Sequence, residues 1–247
     1  MAVKYRILLL LLLGAGLTAV YLDYFNASKI KSSAIARRAE LVVVRIEGDN
    51  SSGSGVIIAK EDNTYRVVTN CHVVDRQNTY QIQTADGNLH LGTLAAVSSQ
   101  DDLAIVRFES DRSYPIAVID RTSPSTNIPL LAAGFPFDSD RLQITSGKLA
   151  LQLVKPLKYG YQIGYTNEVY QGMSGGAILN TVGEVIGING RSSYPIIPDY
   201  QYRDKTYPDR QLQQQMVQLS WGIPVARAIE LLATDEAGNF LTSSCPR

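Results

Sequence analysis

The stretch Gln171-Gly172-Met173-Ser174-Gly175-Gly176 sets a serine among glycines, between two apolar runs. That is a poor choice for packing and a good one for acyl transfer. Gly172 can take backbone angles that turn two N–H groups to one side. The Ser174 oxygen and those N–H groups then address one reacting carbonyl. The bland alternative is a glycine-rich hairpin turn. A serine nucleophile needs a base, and the chain has two histidines. His72 lies in Thr69-Asn70-Cys71-His72-Val73-Val74, just after the apolar run Tyr65–Val68. His90 lies in the alternating stretch Asn88-Leu89-His90-Leu91 and reads as an exposed strand position. An imidazole base needs a carboxylate to fix its tautomer. Asp101-Asp102-Leu103-Ala104-Ile105-Val106 supplies an acid at the start of an apolar strand. Asp102 touches that strand and is chosen over Asp101; the bland alternative is a turn residue at a strand start.

Chain order narrows the class. Gly172-x-Ser174-x-Gly176 also fits the nucleophile elbow of α/β-hydrolases, but in those enzymes the acid and the histidine follow the serine. No histidine follows Ser174. The order His72, Asp102, Ser174 is that of the chymotrypsin type and not the subtilisin type.

These residues need a β frame, and the chain supplies one. Short β-rich runs fall at Leu41–Glu47, Gly55–Lys60, Tyr65–Thr69, Tyr80–Thr84, Leu103–Phe108, Leu130–Ala133, Leu142–Ala150, Tyr161–Thr166, Gly176–Leu179, Glu184–Asn189 and Met216–Gly222. Turn signals such as Asp86-Gly87-Asn88 and Val182-Gly183 separate them, which suggests an all-β sandwich or barrels. One good helix is predicted near the C-terminus, with Pro224 at its first position and Val225, Ile229 and Leu232 at i, i+4 and i+7. The Pro/Ser stretch Thr122–Pro129 marks an internal domain break. A long loop over Ser192–Gln211 carries Tyr194, Tyr200, Tyr202 and Tyr207 and is a candidate for binding or for surface decoration.

Composition sets the outer limits. The chain has 247 residues, 45% hydrophobic and 19% charged, which fits a globular protein and excludes disorder as the main state. Two cysteines and two histidines are too few for a disulfide scaffold or a zinc-ribbon site, and no metal or organic cofactor is expected. The 23 basic and 23 acidic residues are unevenly spread: residues 1–38 hold six of the basic and one of the acidic, which leaves a net charge of −5 on the rest. A mildly acidic body argues against a nucleic-acid partner.

Lys4 and Arg6 precede the uncharged run Ile7–Leu22, which reads as an export signal or a membrane anchor, and Tyr21, Tyr24 and Phe25 suit an interfacial belt. Residues 1–25 are therefore read as signal peptide or anchor and 26–38 as a linker. Either way the body is expected to be exported, periplasmic or extracytoplasmic. Export permits a bridge between Cys71 and Cys245; the alternative is a buried free Cys71.

The chain resembles the trypsin-like serine peptidases, nearest the bacterial HtrA/Deg type, from about Ala39 to Asp235. The resemblance rests on eight blocks in family order. Gly53-Ser54-Gly55-Val56-Ile57-Ile58 resembles G-S-G-F-I-I, Thr69-Asn70-Cys71-His72-Val73 resembles T-N-x-H-V, and Asp102-Leu103-Ala104 resembles D-L/I-A. Ala132-Ala133-Gly134-Phe135-Pro136-Phe137 resembles A-I-G-N-P-F, and Ile144-Thr145-Ser146-Gly147 resembles V-T-x-G. Gly172-Met173-Ser174-Gly175-Gly176 resembles G-N-S-G-G, Ile186-Gly187-Ile188-Asn189 resembles I-G-I-N, and Trp221-Gly222-Ile223-Pro224 resembles F-A-I-P. The resemblance implies two six-stranded antiparallel β-barrels of the chymotrypsin-like fold, over 39–122 and 123–235, with a C-terminal helix and a tail over 236–247. It implies His72 as base, Asp102 as orienting acid, Ser174 as nucleophile, and the N–H groups of Gly172 and Ser174 as oxyanion hole. Protein or peptide substrates follow from it; oligomeric state stays open. Glu168 stands six residues before Ser174, where trypsin carries the acid that binds Lys or Arg side chains, and Tyr170 and Asn189 are pocket candidates beside it. HtrA-type pockets favour small aliphatic side chains instead. Too little sequence follows the helix for a PDZ domain, so tethering by one is not expected. Met173 replaces the polar residue before the serine and cannot pair with a newly cut N-terminus, so that activation switch is not expected. The reading is an exported serine endopeptidase; the alternative is a catalytically silent binding module on the same fold, using the tyrosine-rich loop.

Overall fold

The computed structural model describes residues 33–49, 51–74, 79–122, 125–196, 198–236 and Cys245. The expected leader (1–25), the first part of the linker and most of the tail lie outside the described residues. Residues 38–247 form one compact unit.

Helix α1 covers 33–42. Six strands follow: β1 Val43–Glu47, β2 Ser52–Glu61, β3 Thr64–Thr69, β4 Thr79–Gln83, β5 Leu89–Val97 and β6 Ala104–Glu109. They close into an antiparallel barrel in the order β1-β2-β3-β6-β5-β4. A second set, β7 Pro129–Gly134, β8 Gln143–Gln152, β9 Ile163–Tyr165, β10 Ala177–Leu179, β11 Val185–Arg191 and β12 Ser220–Pro224, closes in the order β10-β11-β12-β9-β8-β7. Closure leaves no sheet edge to protect. Helix α2, Arg210–Met216, precedes β12, and helix α3, Val225–Glu236, ends the body. This is the two-barrel, chymotrypsin-like architecture that the resemblance implies.

Each barrel has its own core. Val44, Ile46, Ile57, Tyr65, Val67, Ile82, Val106 and Phe108 fill the first, and Leu130, Leu149, Ile163, Tyr165, Ile178 and Ile186 the second. The segment between the barrels is tied to both, through Ala117 N–H to the Ile57 carbonyl of β2 at 2.9 Å and Asp120 N–H to the Val185 carbonyl of β11 at 3.0 Å.

Three elements differ from the sequence-based expectation. Strand β5 is absent from the predicted runs because its alternation is inverted. Leu89 and Leu91 point outward, 59% and 69% exposed, while His90 turns inward against Phe108, ring centroids 4.8 Å apart. His90 is thus a half-buried member of an aromatic cluster rather than an exposed strand residue, hydrogen-bonded to the Tyr114 hydroxyl at 3.0 Å. The predicted run Met216–Gly222 begins instead in helix α2. Asp209 caps that helix by accepting the Leu212 N–H at 2.8 Å, an N-cap signal masked by the prolines before it. The predicted loop over Ser192–Gln211 therefore ends in a helix, and Tyr200 is buried in it. Residues 33–42, read as linker and strand start, are helical up to the first residue of β1.

Candidate active site

His72 sits in a single 3₁₀ turn, Cys71–Val74, at the end of β3. The turn is held by burial of Cys71, Val73 and Val74 around it, which leaves the His72 side chain half exposed at the rim. Cys71 is bridged to Cys245, so the free-thiol alternative is excluded. Asn70 is buried and donates through Nδ2 to the Asp102 carbonyl at 2.8 Å, which ties the turn to the start of β6.

Asp102 receives His72 twice. The His72 backbone N–H reaches Oδ1 at 2.9 Å and the ring Nδ1 reaches Oδ2 at 2.6 Å. Asp101, equally buried, turns away and pairs with Arg203. Burial opposes charge on the imidazole, but the Asp102 carboxylate outweighs it by charge and hydrogen bond, so the His72 pKa lies above its ordinary value; the nearby Arg191 cation pulls the other way. Burial would raise the Asp102 pKa, yet His72 and further hydrogen bonds hold it below the ordinary carboxylate value. A carboxylate beneath an imidazole whose proton affinity is raised is the electrostatics of an oriented base.

Ser174 lies in the loop between β9 and β10. Its hydroxyl donates to the Gly190 carbonyl at 3.1 Å. The loop is cross-braced by Ser54 of β2, whose N–H donates to the Ser174 carbonyl at 2.8 Å and whose hydroxyl donates to the Gly172 carbonyl at 2.9 Å. Met173 is fully buried in the second core. Gly172 has φ +95°, and a Cβ there would meet the Phe137 nitrogen at 2.5 Å and the Phe135 oxygen at 2.6 Å. Both the conformation and the space require glycine. Among the described residues, neither the Gly172 N–H nor the Ser174 N–H donates a hydrogen bond within the protein, whereas the N–H groups of Met173, Gly175 and Gly176 are all engaged. Two free donors beside a serine hydroxyl can receive an anionic oxygen.

A cavity of about 530 Å³ opens beside Ser174, lined by Val169, Tyr170, Gln171, Arg191, Tyr200 and Trp221 among others. Of the three predicted pocket residues, Tyr170 lines it. Glu168 is exposed and does not; its carboxylate accepts a hydrogen bond from the Tyr170 phenol, pushing that pKa up. Asn189 is fully buried and does not line it either. It accepts the Tyr165 hydroxyl at 2.8 Å and donates to the Ala133 carbonyl at 3.1 Å. The charged groups in the lining are Arg191 and the exposed Asp199.

Three residues of the site carry no local sequence signal. The Tyr161 hydroxyl donates to Asp102 Oδ2 at 2.5 Å across 59 positions of sequence. Gly190 lends its carbonyl to Ser174, and the Arg191 guanidinium lies over the Tyr161 ring, 4.6 Å from its centroid. The first depends on one barrel meeting the other and the other two on β11 packing beside distant loops of the second barrel, which no window of sequence displays. Among the described residues, no group of His, Cys, Asp and Glu could hold a metal ion.

A family model described as a trypsin-like peptidase domain matches residues 53–188. The chain is 27% identical over 150 residues to the serine protease Do-like HtrA of Bacillus subtilis, a match that takes in 57% of this chain and 33% of that protein. It is 28% identical over 151 residues to the serine protease HTRA4 of Mus musculus, 57% of this chain and 30% of that one. It is 30% identical over 141 residues to the "Probable periplasmic serine endoprotease DegP-like" of Buchnera aphidicola, 56% and 29%. The chain thus spans about a third of the length of these curated relatives. Among solved structures, the serine endoprotease from Yersinia pestis superposes with a TM-score of 0.65 at 22% identity, over 84% of this chain and 67% of that one, a likeness of fold.

Proposed function

Since this chain belongs to the trypsin-like peptidase family, we propose from that premise that it is an exported serine endopeptidase acting on protein or peptide substrates. The observation that carries the reading is the pair of unengaged N–H groups at Gly172 and Ser174 beside the Ser174 hydroxyl, in a chain that also pairs His72 with Asp102. Ser174 attacks the scissile carbonyl as His72 accepts its proton. The tetrahedral oxyanion lies on the two N–H groups. His72 then protonates the leaving amine, and water repeats the sequence on the acyl-enzyme. Asp102 keeps the Nδ1–H tautomer and stabilises the imidazolium. Before attack, the Ser174 hydroxyl must leave the Gly190 carbonyl and turn to His72.

The cavity favours apolar side chains at the cleaved residue. Trp221 and Val169 are buried walls, Glu168 is outside, and the half-buried Arg191 cation, set against an Asp199 that is exposed, disfavours Lys and Arg. Export is supported by the basic start and apolar run of residues 4–22, by the Cys71–Cys245 bridge, which suits an oxidising compartment, and by the periplasmic designation of the Buchnera relative. Residues 7–22 serve as signal or anchor; no helix among the described residues is long and apolar enough to cross a membrane.

One observation favours a catalytically silent binding module, namely that the Ser174 hydroxyl bonds to Gly190. Intact-mass spectrometry of the full chain after exposure to a fluorophosphonate separates the two. A single adduct that disappears in Ser174→Ala is the expected result; an unmodified wild-type chain overturns the endopeptidase reading.

A further inference from the structure

Asp102 presents two carboxylate oxygens, and the structure assigns a donor to each. Oδ1 accepts the His72 backbone N–H at 2.9 Å. Oδ2 accepts two donors, the His72 ring at 2.6 Å and the Tyr161 hydroxyl at 2.5 Å. Tyr161 comes from the second barrel, two residues before β9, and is 1% exposed. Its segment is clamped to the acid by a backbone bond from the Asp102 N–H to the Tyr159 carbonyl at 2.9 Å. On one face of the Tyr161 ring lies the Arg191 guanidinium. At another the ring occupies the space a side chain at position 190 would need: a Cβ on Gly190 would lie 2.9 Å from both Cζ and the hydroxyl oxygen of Tyr161. Gly190 is also the residue whose carbonyl holds the Ser174 hydroxyl.

We propose that Tyr161 is a positioning residue whose hydroxyl fixes the Asp102 carboxylate for His72, and that position 190 is glycine because the Tyr161 ring fills its place. The inference rests on the endopeptidase reading above for its consequence in catalysis, but its geometry concerns Asp102 alone. A doubly engaged Oδ2 and a singly engaged Oδ1 leave the carboxylate no free rotation, so the imidazole it holds is fixed as well. Burial, with the Asp102 charge, keeps the phenol far above its ordinary pKa, so Tyr161 is a neutral donor at every working pH. The charged or titratable groups facing His72 are Asp102 from the start of β6, Tyr161 behind it, and Arg191 at the end of β11. Asp101 is turned to Arg203.

The chain has two histidines, so an NMR titration of the imidazoles reads His72 without depending on activity, and His72→Gln assigns it. Tyr161→Phe deletes only the oxygen. With one donor lost, Oδ2 holds the imidazolium more strongly, and the His72 midpoint moves to higher pH. The fluorophosphonate labelling rate falls about tenfold or more, as expected for a charge-assisted hydrogen bond. Tyr161→Ala slows labelling at least as much. Adding Gly190→Ser to Tyr161→Ala restores a hydroxyl in the vacated space and brings labelling and midpoint back toward wild type. An unmoved His72 midpoint in Tyr161→Phe overturns the proposal, as does a double variant no better than Tyr161→Ala. A midpoint that moves in Tyr161→Phe while the wild type resists labelling upholds the positioning of Asp102 and overturns the endopeptidase reading instead.

Discussion

At the scale of single residues, the site is an arrangement of opposing fields on His72. Burial and Arg191 disfavour the imidazolium, while Asp102 favours it and prevails. In the proposed mechanism the neutral ring is the proton acceptor, so labelling of Ser174 is expected to rise with pH through a midpoint above the ordinary imidazole value of about 6.5. Arg191→Gln removes an opposing cation and shifts that limb to higher pH; a pH–rate profile of fluorophosphonate labelling checks it, and a shift to lower pH contradicts it. The same pair has a stability consequence of fixed sign. Because the folded pKa is raised, its contribution is complete below the unfolded value and fades as pH rises through the folded one. Specificity belongs to this scale too. Glu168 is exposed beside the Tyr170 phenol and outside the cavity. Peptide-library profiling of Glu168→Ala is expected to match that of the wild type, with the proposed preference for apolar over basic residues at the cleaved position; a profile changed in its Lys/Arg selectivity contradicts this.

At the scale of elements, helix α3 is the clearest case of sequence pattern and tertiary contact working together. Its buried face, Val225, Ala228, Leu231 and Leu232, continues the apolar period that the sequence displays. The period does not announce Asp235, whose fully buried carboxylate accepts Arg107 Nη2 at 2.6 Å and Arg66 Nε at 3.2 Å. The helix that follows the second barrel is thereby fastened to β3 and β6 of the first. Removing the acid takes its buried partner from two arginines, of which Arg66 is nearly buried and keeps the largely exposed Glu61. Asp235→Ala is expected to lower stability by about 3 kcal/mol in urea unfolding, because breaking a buried pair takes from each cation its buried counter-charge. An apolar replacement of all three residues is expected to recover most of that loss. Strand β5 shows the converse. Its outward leucines and inward His90 contradict the alternation rule, and only closure of the barrel reveals which face is the core.

At the scale of the whole 38–247 unit, the site exists because two barrels meet. His72 and Asp102 come from the first, Ser174, Gly172 and Tyr161 from the second, and Ser54 stitches the first to the loop of the second. The bridge from Cys71 to Cys245 spans 174 positions and fastens the chain's end to the residue before His72. Closing so long a loop restricts the unfolded chain. Cys245→Ser is therefore expected to cost about 2–5 kcal/mol of stability, measured by urea unfolding under oxidising conditions. A wild-type protein with unchanged stability after reduction would contradict it.

The sequence by itself determined the all-β class, the C-terminal helix, and the residue types and order His72, Asp102, Ser174. These are local properties: periodicity, a glycine-flanked serine, and the order of blocks along one chain. The tertiary structure decided the rest. It placed Asp102 rather than Asp101 on His72, put Glu168 and Asn189 outside the cavity, closed the disulfide, and brought Tyr161 into the space that Gly190 leaves. Each of those outcomes depends on which distant segments the folded chain presses together. That is set by the packing of residues far apart in sequence, so no single segment records it.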